Sequence, residues 1–320
     1  MTPGPPSGRR ELAIAATIDD PWVPHFATCV ASLAASRGTE SIRFFMLQGP
    51  NLSTASVRRL RDFVRDHGMD LEAIRVSEDS DVSLPPTSPI FSPLVWYRLL
   101  LPDLLPELDR LLFLDADTLV LQSLAPLLDH EFGNNLLAAV GVMATEKHMR
   151  RIELDPAQPV FNAGVLLMNL EAMRAEQIGP RALALGRERF ADFVFNDQDA
   201  LTVIANGRWE KLHPKWNALS HLWLLPENYD RTYSVLEQAS ARLSPAIVHF
   251  EGFETVKPWF YRSMHPLRFL YRDFRAQTPW PLDQLERKSV GGAILRRLPV
   301  RWQYGLMAAK RRVLDRLSRR

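Results

Sequence analysis

The sequence predicts an α/β protein in which a mostly parallel, mixed sheet is flanked by helices and followed by a basic helical tail. The 320 residues are 46% hydrophobic and 24% charged, as in ordinary soluble globular chains. Residues 11–142 alternate short apolar runs with amphipathic helical patterns, which is typical of parallel strands joined by right-handed crossovers. Residues 286–320 contain eleven Lys and Arg against two acids, which sets a tail apart from the body.

The predicted strands are short apolar runs of the length expected for buried strands. Leu12–Ile18 is the first of them, and Arg110–Leu114 is notable because two acids follow it directly. In chain order the predicted strands are Leu12–Ile18, Ile42–Leu47, Leu71–Val76, Arg110–Leu114, Leu136–Val142, Phe161–Leu170 and Pro245–Phe250.

The predicted helices lie between these strands. Ser53 is expected to cap a helix that runs to His67, because serine is a favoured N-cap residue and Gly68 stops the pattern. The other predicted helices are Phe26–Ser36, Leu94–Leu105, Ile178–Arg189 and Asp197–Ala205. Three segments are expected to be irregular: the proline-rich Ser77–Pro93, the polar Met143–Pro159 and the aromatic-rich Trp209–Asn228.

Composition excludes several classes of protein. No apolar run approaches the roughly 18–20 residues that a membrane-spanning helix needs. The first residues, Met1–Asp20, lack the layout of a secretory signal peptide. Cys29 is the single cysteine, so an intrachain disulfide and a thiolate zinc cluster are both impossible. These features predict a protein of the reducing cytoplasm.

The tail predicts contact with a polyanion. Residues 286–320 carry a net charge of +9, so the remaining 285 residues of this +2 chain carry −7. From Leu306 onward a helical wheel separates an apolar arc from an arginine-rich one, which is typical of a helix lying in a membrane interface. We therefore expect peripheral attachment to an anionic inner leaflet. A helix packed on the body is the alternative, and nucleic acid is not expected because the acidic body would repel it.

The strongest chemical signal is Asp115-Ala116-Asp117 at the end of the Arg110–Leu114 strand. Residues two apart in a strand point to the same face, so the two carboxylates are expected to share one cation. Carboxylate oxygens suit Mg²⁺ or Mn²⁺. A surface turn with two solvated acids is the alternative.

A second enzyme class also places Asp-x-Asp after an apolar strand. Haloacid-dehalogenase-type phosphatases have Thr or Val four residues past the first Asp, where this chain has Leu119. Their motif usually opens the domain, whereas this one lies more than a hundred residues along the chain. A phosphatase is thus the weaker alternative.

Four motifs in order resemble family 8 glycosyltransferases, which are retaining enzymes that use sugar nucleotides. They are Asp115-Ala116-Asp117, Phe161–Val165, Asn196–Asp199, and His249 followed by Lys257–Trp259. The resemblance covers about residues 11–260. It implies a GT-A fold, with a Rossmann-like nucleotide-binding half at 11–142 and an acceptor-binding half at 143–282, before the tail at 283–320.

The resemblance also implies a metal-bound UDP-sugar. By position, Asp115, Asp117 and His249 would hold Mn²⁺, with Mg²⁺ possible. Two carboxylates and an imidazole leave coordination sites open for diphosphate oxygens. A buried core histidine is the alternative for His249. Arg98 would face the diphosphate and donor sugar, or be a surface helix arginine.

Further donor contacts follow from the resemblance. Asp19, Asp20 and Trp22 would contact uracil and ribose, although Pro21 replaces the asparagine common in the family. A core or hinge aromatic is the alternative for Trp22. Gly252 and Lys257 would reach the phosphates, with the lysine two residues later than the usual spacing.

The sugar-facing residues implied by the resemblance are Asn162, Asp197 and Gln198. Asn162 lies in an apolar strand, where an unpaired amide is costly, so a polar partner is expected. Asp197 would bind donor-sugar hydroxyls, or be a plain N-cap. Gln198 would lie near the face of the anomeric carbon opposite the leaving group.

The activity implied is transfer of glucose or galactose from a UDP-sugar to a glycan or glycolipid hydroxyl, with retention. Synthesis of lipopolysaccharide or another cell-surface glycan is the expected setting. Because an amide is a poor nucleophile, front-face attack is favoured over a covalent intermediate. A non-catalytic nucleotide-sugar or glycan-binding module is the remaining alternative.

Overall fold

A computed structural model describes residues 11–76, 83–87, 91–225, 230–295, 297–298 and 302–303. The amphipathic helix expected from Leu306 onward lies outside the described residues, as does part of Ser77–Pro93. Within the described ranges no helix is long and apolar enough to cross a membrane.

The described residues contain two sheets. The strands are β1 (Glu11–Ile18), β2 (Ser41–Gln48), β3 (Asp70–Arg75), β4 (Arg110–Leu114), β5 (Thr118–Val120), β6 (Leu137–Val142), β7 (Val160–Asn169), β8 (Trp209–Lys211), β9 (Ala218–Leu219) and β10 (Ile247–His249). The larger sheet has the order β3-β2-β1-β4-β7-β6-β8, and the smaller one β5-β10-β9. Only β7 runs antiparallel to its neighbours in the larger sheet, which confirms a mostly parallel, mixed α/β fold.

Helices cover the larger sheet and its edges. They are α1 (Val23–Ser36), α2 (Thr54–Asp66), α3 (Leu101–Leu104), α4 (Ala125–Leu128), α5 (Glu146–Arg151), α6 (Leu170–Ala175), α7 (Ile178–Glu188), α8 (Asp197–Ala205), α9 (His221–Leu224), α10 (Val235–Leu243), α11 (Arg268–Ala276) and α12 (Val290–Leu295). Ser53 caps α2 by accepting a hydrogen bond from the Ser56 amide, as predicted.

The two faces of the larger sheet each bury a hydrophobic core because side chains alternate along its strands. Ile14 and Phe44 lie in the core beneath α1 and α2, where Phe26 joins them. Their sequence neighbours Ala15 and Phe45 lie in the core on the opposite face. The apolar runs read as strands are thus buried on both sides, as is usual for parallel sheets.

The segment predicted as the helix Leu94–Leu105 differs from expectation. It forms a 3-10 helix over Pro93–Leu100 and then the single-turn α3. Pro102 has no amide hydrogen to donate to the carbonyl four residues earlier, so a continuous α-helix is broken there. The Leu101 amide instead bonds the Arg98 carbonyl, three residues back.

The smaller sheet was not predicted. Its β5 is antiparallel to β10, with His249 opposite Thr118. Its β9 is parallel to β10, with Leu219 beside His249. This sheet brings the chain that follows Asp117 against the chain that ends at His249.

Segments predicted to be irregular contain regular structure. The irregular Trp209–Asn228 segment contains β8, β9 and α9, and α5 lies within Met143–Pro159. Also unpredicted are α10 and α11, although Ser234 and Glu237 form a capping box at the start of α10. At the start of the tail, Gly291 and Gly292 lie within α12.

Candidate active site

Asp115 and Asp117 lie where the larger sheet meets the smaller one. They occupy the turn between β4 and β5. We expected the alternation of side chains along a strand to bring their carboxylates together, but the turn does so instead. The Asp115 amide continues the β4–β7 ladder by donating to the Gly164 carbonyl at 2.7 Å. The site therefore forms at the carboxyl end of a central strand, as in other open α/β sheets.

Asp115, Asp117 and His249 form a cluster that suits a divalent cation. One ligand atom from each lies within 4.8 Å of the others. His249 Nε2 lies 3.3 Å from Asp117 Oδ1 and 3.7 Å from Asp115 Oδ2. Two carboxylates and an imidazole are a donor set that Mn²⁺ or Mg²⁺ accepts, so the residues fit the metal that the sequence suggested.

Gly164 makes room for this cluster. A Cβ atom at this position would lie 2.2 Å from His249 Cε1 and 2.7 Å from Asp115 Oδ2. Any side chain would displace the imidazole or the carboxylate. The glycine of the Phe161–Val165 motif is therefore required by the close approach of β7 to β10.

Asp117 is the more deeply buried of the two carboxylates in the cluster. Its buried carboxylate is paired with Lys257 as well as with His249. Burial alone would raise the pKa of Asp117, but Lys257 and His249 hold it well below its usual range. In turn Asp117 and Asp115 raise the pKa of His249 against the opposing effect of burial.

Arg98 is buried and links two acids, so it is not a surface helix arginine. Its Nε lies 2.9 Å from Asp197 Oδ2 and its Nη2 lies 3.2 Å from Asp115 Oδ1. It also donates to the Ala163 carbonyl and lies over the Phe113 ring at 4.3 Å. The guanidinium is thereby fixed between β4, β7 and the start of α8.

Asp197 is the first residue of α8, and the N-cap position belongs to Asn196. Its buried carboxylate faces Arg98. Burial raises the pKa of Asp197 to about 7, even though Arg98 opposes the shift. The plain N-cap interpretation of Asp197 is therefore wrong.

Asn162 and Gln198 lie on either side of the Ala163 peptide. The Gln198 Oε1 accepts from the Ala163 amide at 3.0 Å. The Asn162 Oδ1 accepts from the Gly164 amide at 3.0 Å and from Asn217 Nδ2 at 2.9 Å. Protein groups thus supply the polar partners that we expected Asn162 to need.

The acids at the end of β1 have different surroundings. Asp19 is partly buried, and burial raises its pKa. Asp20 is turned toward α2, where its Oδ1 accepts from the Ser53 amide at 3.0 Å and its pKa is lowered by that bond. The Asp20 carboxylate is thus already engaged by the residue that caps α2.

Trp22, Gly252 and Lys257 line a groove of about 540 Å³ beside the cluster. Lys257 Nζ lies 5.2 Å from the centre of the Trp22 ring. Gly252 has φ of +109°, a conformation that favours glycine. The Phe253 carbonyl accepts from the Lys257 amide at 3.1 Å, and this turn takes up the two extra residues before Lys257.

Two further polar residues at the site, Asn217 and Glu251, were not predicted. Asn217 contacts both Asn162 and His249, and it ends a 3-10 helix in a segment without periodicity. Glu251 accepts from the Ser220 amide and hydroxyl, and burial raises its pKa. Glu251 lies two residues from His249, and that spacing was the one available signal.

Fold and site together define a glycosyltransferase of the GT-A type. The pattern of glycosyl transferase family 8 matches residues 13–263, and the chain belongs to this family. Membership confirms the resemblance of the four motifs and excludes the phosphatase alternative.

Relatives and solved structures agree with this assignment. General stress protein A of Bacillus subtilis (strain 168) is 27% identical over 274 residues, covering 84% of this chain and 94% of that protein. The lipopolysaccharide 1,3-galactosyltransferase of Salmonella typhimurium (strain LT2) is 27% identical over 179 residues, or 54% of this chain and 50% of that one. The crystal structure of the galactosyltransferase LgtC with donor and acceptor sugar analogues has a TM-score of 0.73 at 23% identity, covering 84% of this chain and 96% of that chain. That last likeness shows the same fold.

Proposed function

We propose that this protein is a metal-dependent, retaining hexosyltransferase. It transfers glucose or galactose from a UDP-sugar to a glycan or glycolipid hydroxyl, in the synthesis of lipopolysaccharide or another cell-surface glycan. The observation that carries the proposal is the cluster of Asp115, Asp117 and His249 at one sheet edge. Two basic side chains, Arg98 and Lys257, pair with its carboxylates. The names of its relatives support the setting.

Asp115, Asp117 and His249 would hold the cation, Mn²⁺ or Mg²⁺. When bound, this ion supplies Lewis-acid stabilisation of the diphosphate leaving group. Lys257 pairs with Asp117 at the edge of this site, where it would also reach the diphosphate. Its ammonium then stabilises the charge that grows on the leaving group.

Arg98, Asp197 and Asn162 would orient the donor sugar. Arg98 holds the Asp197 carboxylate in place, so that a sugar hydroxyl meets a fixed acceptor. Trp22 and Asp19 would contact the uracil and ribose, with Trp22 at the groove wall. Asp20 would support this loop, and through it the nucleotide contact, because the Ser53 amide already engages its carboxylate.

Gln198 would lie at the face of the anomeric carbon opposite the leaving group. Its amide nitrogen has a delocalised lone pair, so we favour front-face attack by the acceptor hydroxyl. In that step a β-phosphate oxygen takes the acceptor proton, while the bond from the anomeric carbon to UDP breaks. Residues 11–142 would bind the nucleotide and 143–282 the acceptor.

UDP release from a panel of UDP-sugars tests the function, with water as the slow acceptor. We expect Mn²⁺-dependent release from UDP-glucose or UDP-galactose by the wild-type chain. Asp117→Asn should release UDP at least about 10²-fold more slowly, because the metal loses a charged ligand. Asp66→Asn, the same change at an exposed aspartate that ends α2, is the matched control and should be unaffected. Tight UDP-sugar binding without release would indicate a binding module instead.

We also propose that residues 286–320 attach the protein to the inner face of the cytoplasmic membrane. The support is the net charge of +9 in this segment together with its largely exposed apolar residues Val290, Ile294 and Trp302. Apolar side chains beside basic ones favour an anionic interface.

A further inference from the structure

Three side chains form a hydrogen-bonded chain behind the metal cluster. Asn162 Oδ1 is 2.9 Å from Asn217 Nδ2, and Asn217 Oδ1 is 3.1 Å from His249 Nδ1. Asn217 and His249 are both buried. The chain therefore runs from the proposed sugar-binding residue to the proposed metal ligand without leaving the protein interior.

One backbone group fixes the direction of every bond in this chain. The Gly164 amide donates to Asn162 at 3.0 Å, and a backbone N–H cannot accept, so the atom that it meets is the Asn162 oxygen. That oxygen also faces Asn217, which must therefore present its NH₂ group. The Asn217 oxygen is then left to face His249, so His249 Nδ1 must carry a hydrogen.

The backbone places Asn217 where this contact forms. Asn217 ends the 3-10 helix Pro214–Asn217 and is followed directly by β9. Because β9 runs parallel to β10, with Ala218 beside Val248, the residue before β9 lies next to the strand that carries His249. The register of the smaller sheet thus holds the amide against the imidazole.

We infer that Asn217 is a positioning residue that sets the tautomer and orientation of His249 for metal binding. With the hydrogen held on Nδ1, the lone pair of Nε2 points toward Asp115 and Asp117. Ligating histidines generally need such a partner, and removing it typically weakens metal binding 10–100-fold. The inference rests on the proposed function, since it takes His249 as a metal ligand.

The test measures Mn²⁺ affinity, from the EPR signal of free Mn²⁺ in the absence of nucleotide, on the full chain. Asn217→Ala should weaken Mn²⁺ binding 10–100-fold. Asn217→Asp keeps an oxygen for the Nδ1 hydrogen, and it should bind Mn²⁺ within about threefold of wild type or more tightly. Nitrogen-15 spectra of labelled histidine should show hydrogen on Nδ1 of His249 in the wild type and a shift toward the Nε2 tautomer in Asn217→Ala.

Asn169→Ala is the matched control. Asn169 is the last residue of β7, accepts from the Ala172 amide and donates to the Asn135 carbonyl, so its loss removes similar bonds away from His249. It should lower the melting temperature while Mn²⁺ affinity stays at the wild-type value. Equal weakening by Asn169→Ala and Asn217→Ala would show a general structural effect and would overturn the inference.

His249→Ala separates this inference from the proposed function. If His249→Ala weakens Mn²⁺ binding but Asn217→Ala leaves it unchanged, the positioning role is wrong and the metal site stands. If His249→Ala leaves Mn²⁺ affinity unchanged, the metal assignment itself fails, and with it the proposed mechanism.

Discussion

At the scale of single residues, the site contains side chains that the protein binds through one atom while another atom stays available to a ligand. Gln198 shows this, because its oxygen is already used by the Ala163 amide while its side chain stays only partly buried. The bond fixes the carboxamide against β7. Its NH₂ group is then the part that can face a sugar in the proposed donor complex.

Gln198→Ala tests that role. We expect kcat to fall about 10²-fold, the usual cost of losing one oriented polar group beside a reacting centre. The Kd for UDP should stay within about twofold, because in the proposed donor complex Gln198 faces the sugar and not the nucleotide. Steady-state transfer kinetics and calorimetric titration with UDP measure the two quantities. Equal losses in both would place Gln198 on the nucleotide.

At the scale of elements, the site depends on how closely β7 approaches β10. We expect Gly164→Ala to fold but to lose Mn²⁺ affinity by 10-fold or more, because the added methyl group displaces His249 or Asp115. Thermal unfolding and Mn²⁺ titration measure the two properties. Gly291→Ala is the control, since a Cβ there meets no atom within 4 Å. Mn²⁺ affinity equal to wild type in Gly164→Ala would contradict this account of the cluster.

We expect the free energy of unfolding to depend on pH through His265, which lies in the segment that leads into α11. Its Nδ1 accepts from the Leu267 amide at 3.2 Å, and its ring packs against Trp223 and Phe250. Burial, and then the charge of Arg268, lower the pKa of His265 from 6.5 to about 3. Its neutral form therefore contributes stability above pH 6.5 that is lost as the pH falls toward 3.

His265→Asn tests this, because the side-chain oxygen of asparagine can replace Nδ1 as the acceptor for the Leu267 amide and asparagine does not titrate. Between pH 6.5 and 4.5 we expect the free energy of unfolding of the wild type to fall by about 2 kcal/mol more than that of the variant. Urea unfolding at several pH values measures the difference. Parallel pH profiles for the two proteins would show that His265 does not titrate in this way.

At the scale of the whole molecule, the start of the tail is joined to the body. Glu286 exchanges backbone hydrogen bonds with Trp259 and Tyr261, and Arg287 pairs with Glu254. The membrane test therefore uses the full chain and changes charges beyond this junction. The change is arginine to glutamine at Arg311, Arg312, Arg316 and Arg319.

We expect the wild type to sediment with vesicles that contain anionic lipid, and salt to release it. The four changes should reduce binding strongly, since each basic residue contributes about 1 kcal/mol at such a surface. The control changes four exposed body residues to glutamine: Arg58, Lys147, Arg181 and Arg231. Equal sedimentation of the tail variant and the wild type would rule out the tether.

The strands β1 to β4 could be predicted because apolar runs leave a clear trace in the sequence, and Asp115 and Asp117 stood out because they follow one of these runs. The other candidate site residues came from the family resemblance. The smaller sheet left less of a trace: β10 lies within the predicted strand Pro245–Phe250, but β5 and β9 are too short to show a period. Asn217 was missed for the same reason: its importance comes from strand register and not from a motif. Pro102 shows the opposite case. The proline was evident in the sequence, yet the helical pattern of Leu94–Leu105 led us to predict one helix, and the proline breaks it.

The pairing of β5 with β10 also has a consequence for how the enzyme is made. It joins Thr118 to His249, which lie 131 residues apart in the sequence. During translation Asp115 and Asp117 therefore leave the ribosome well before His249. If the three residues hold a cation as we propose, the ligand set is complete only after His249 has been synthesised and β10 has paired with β5.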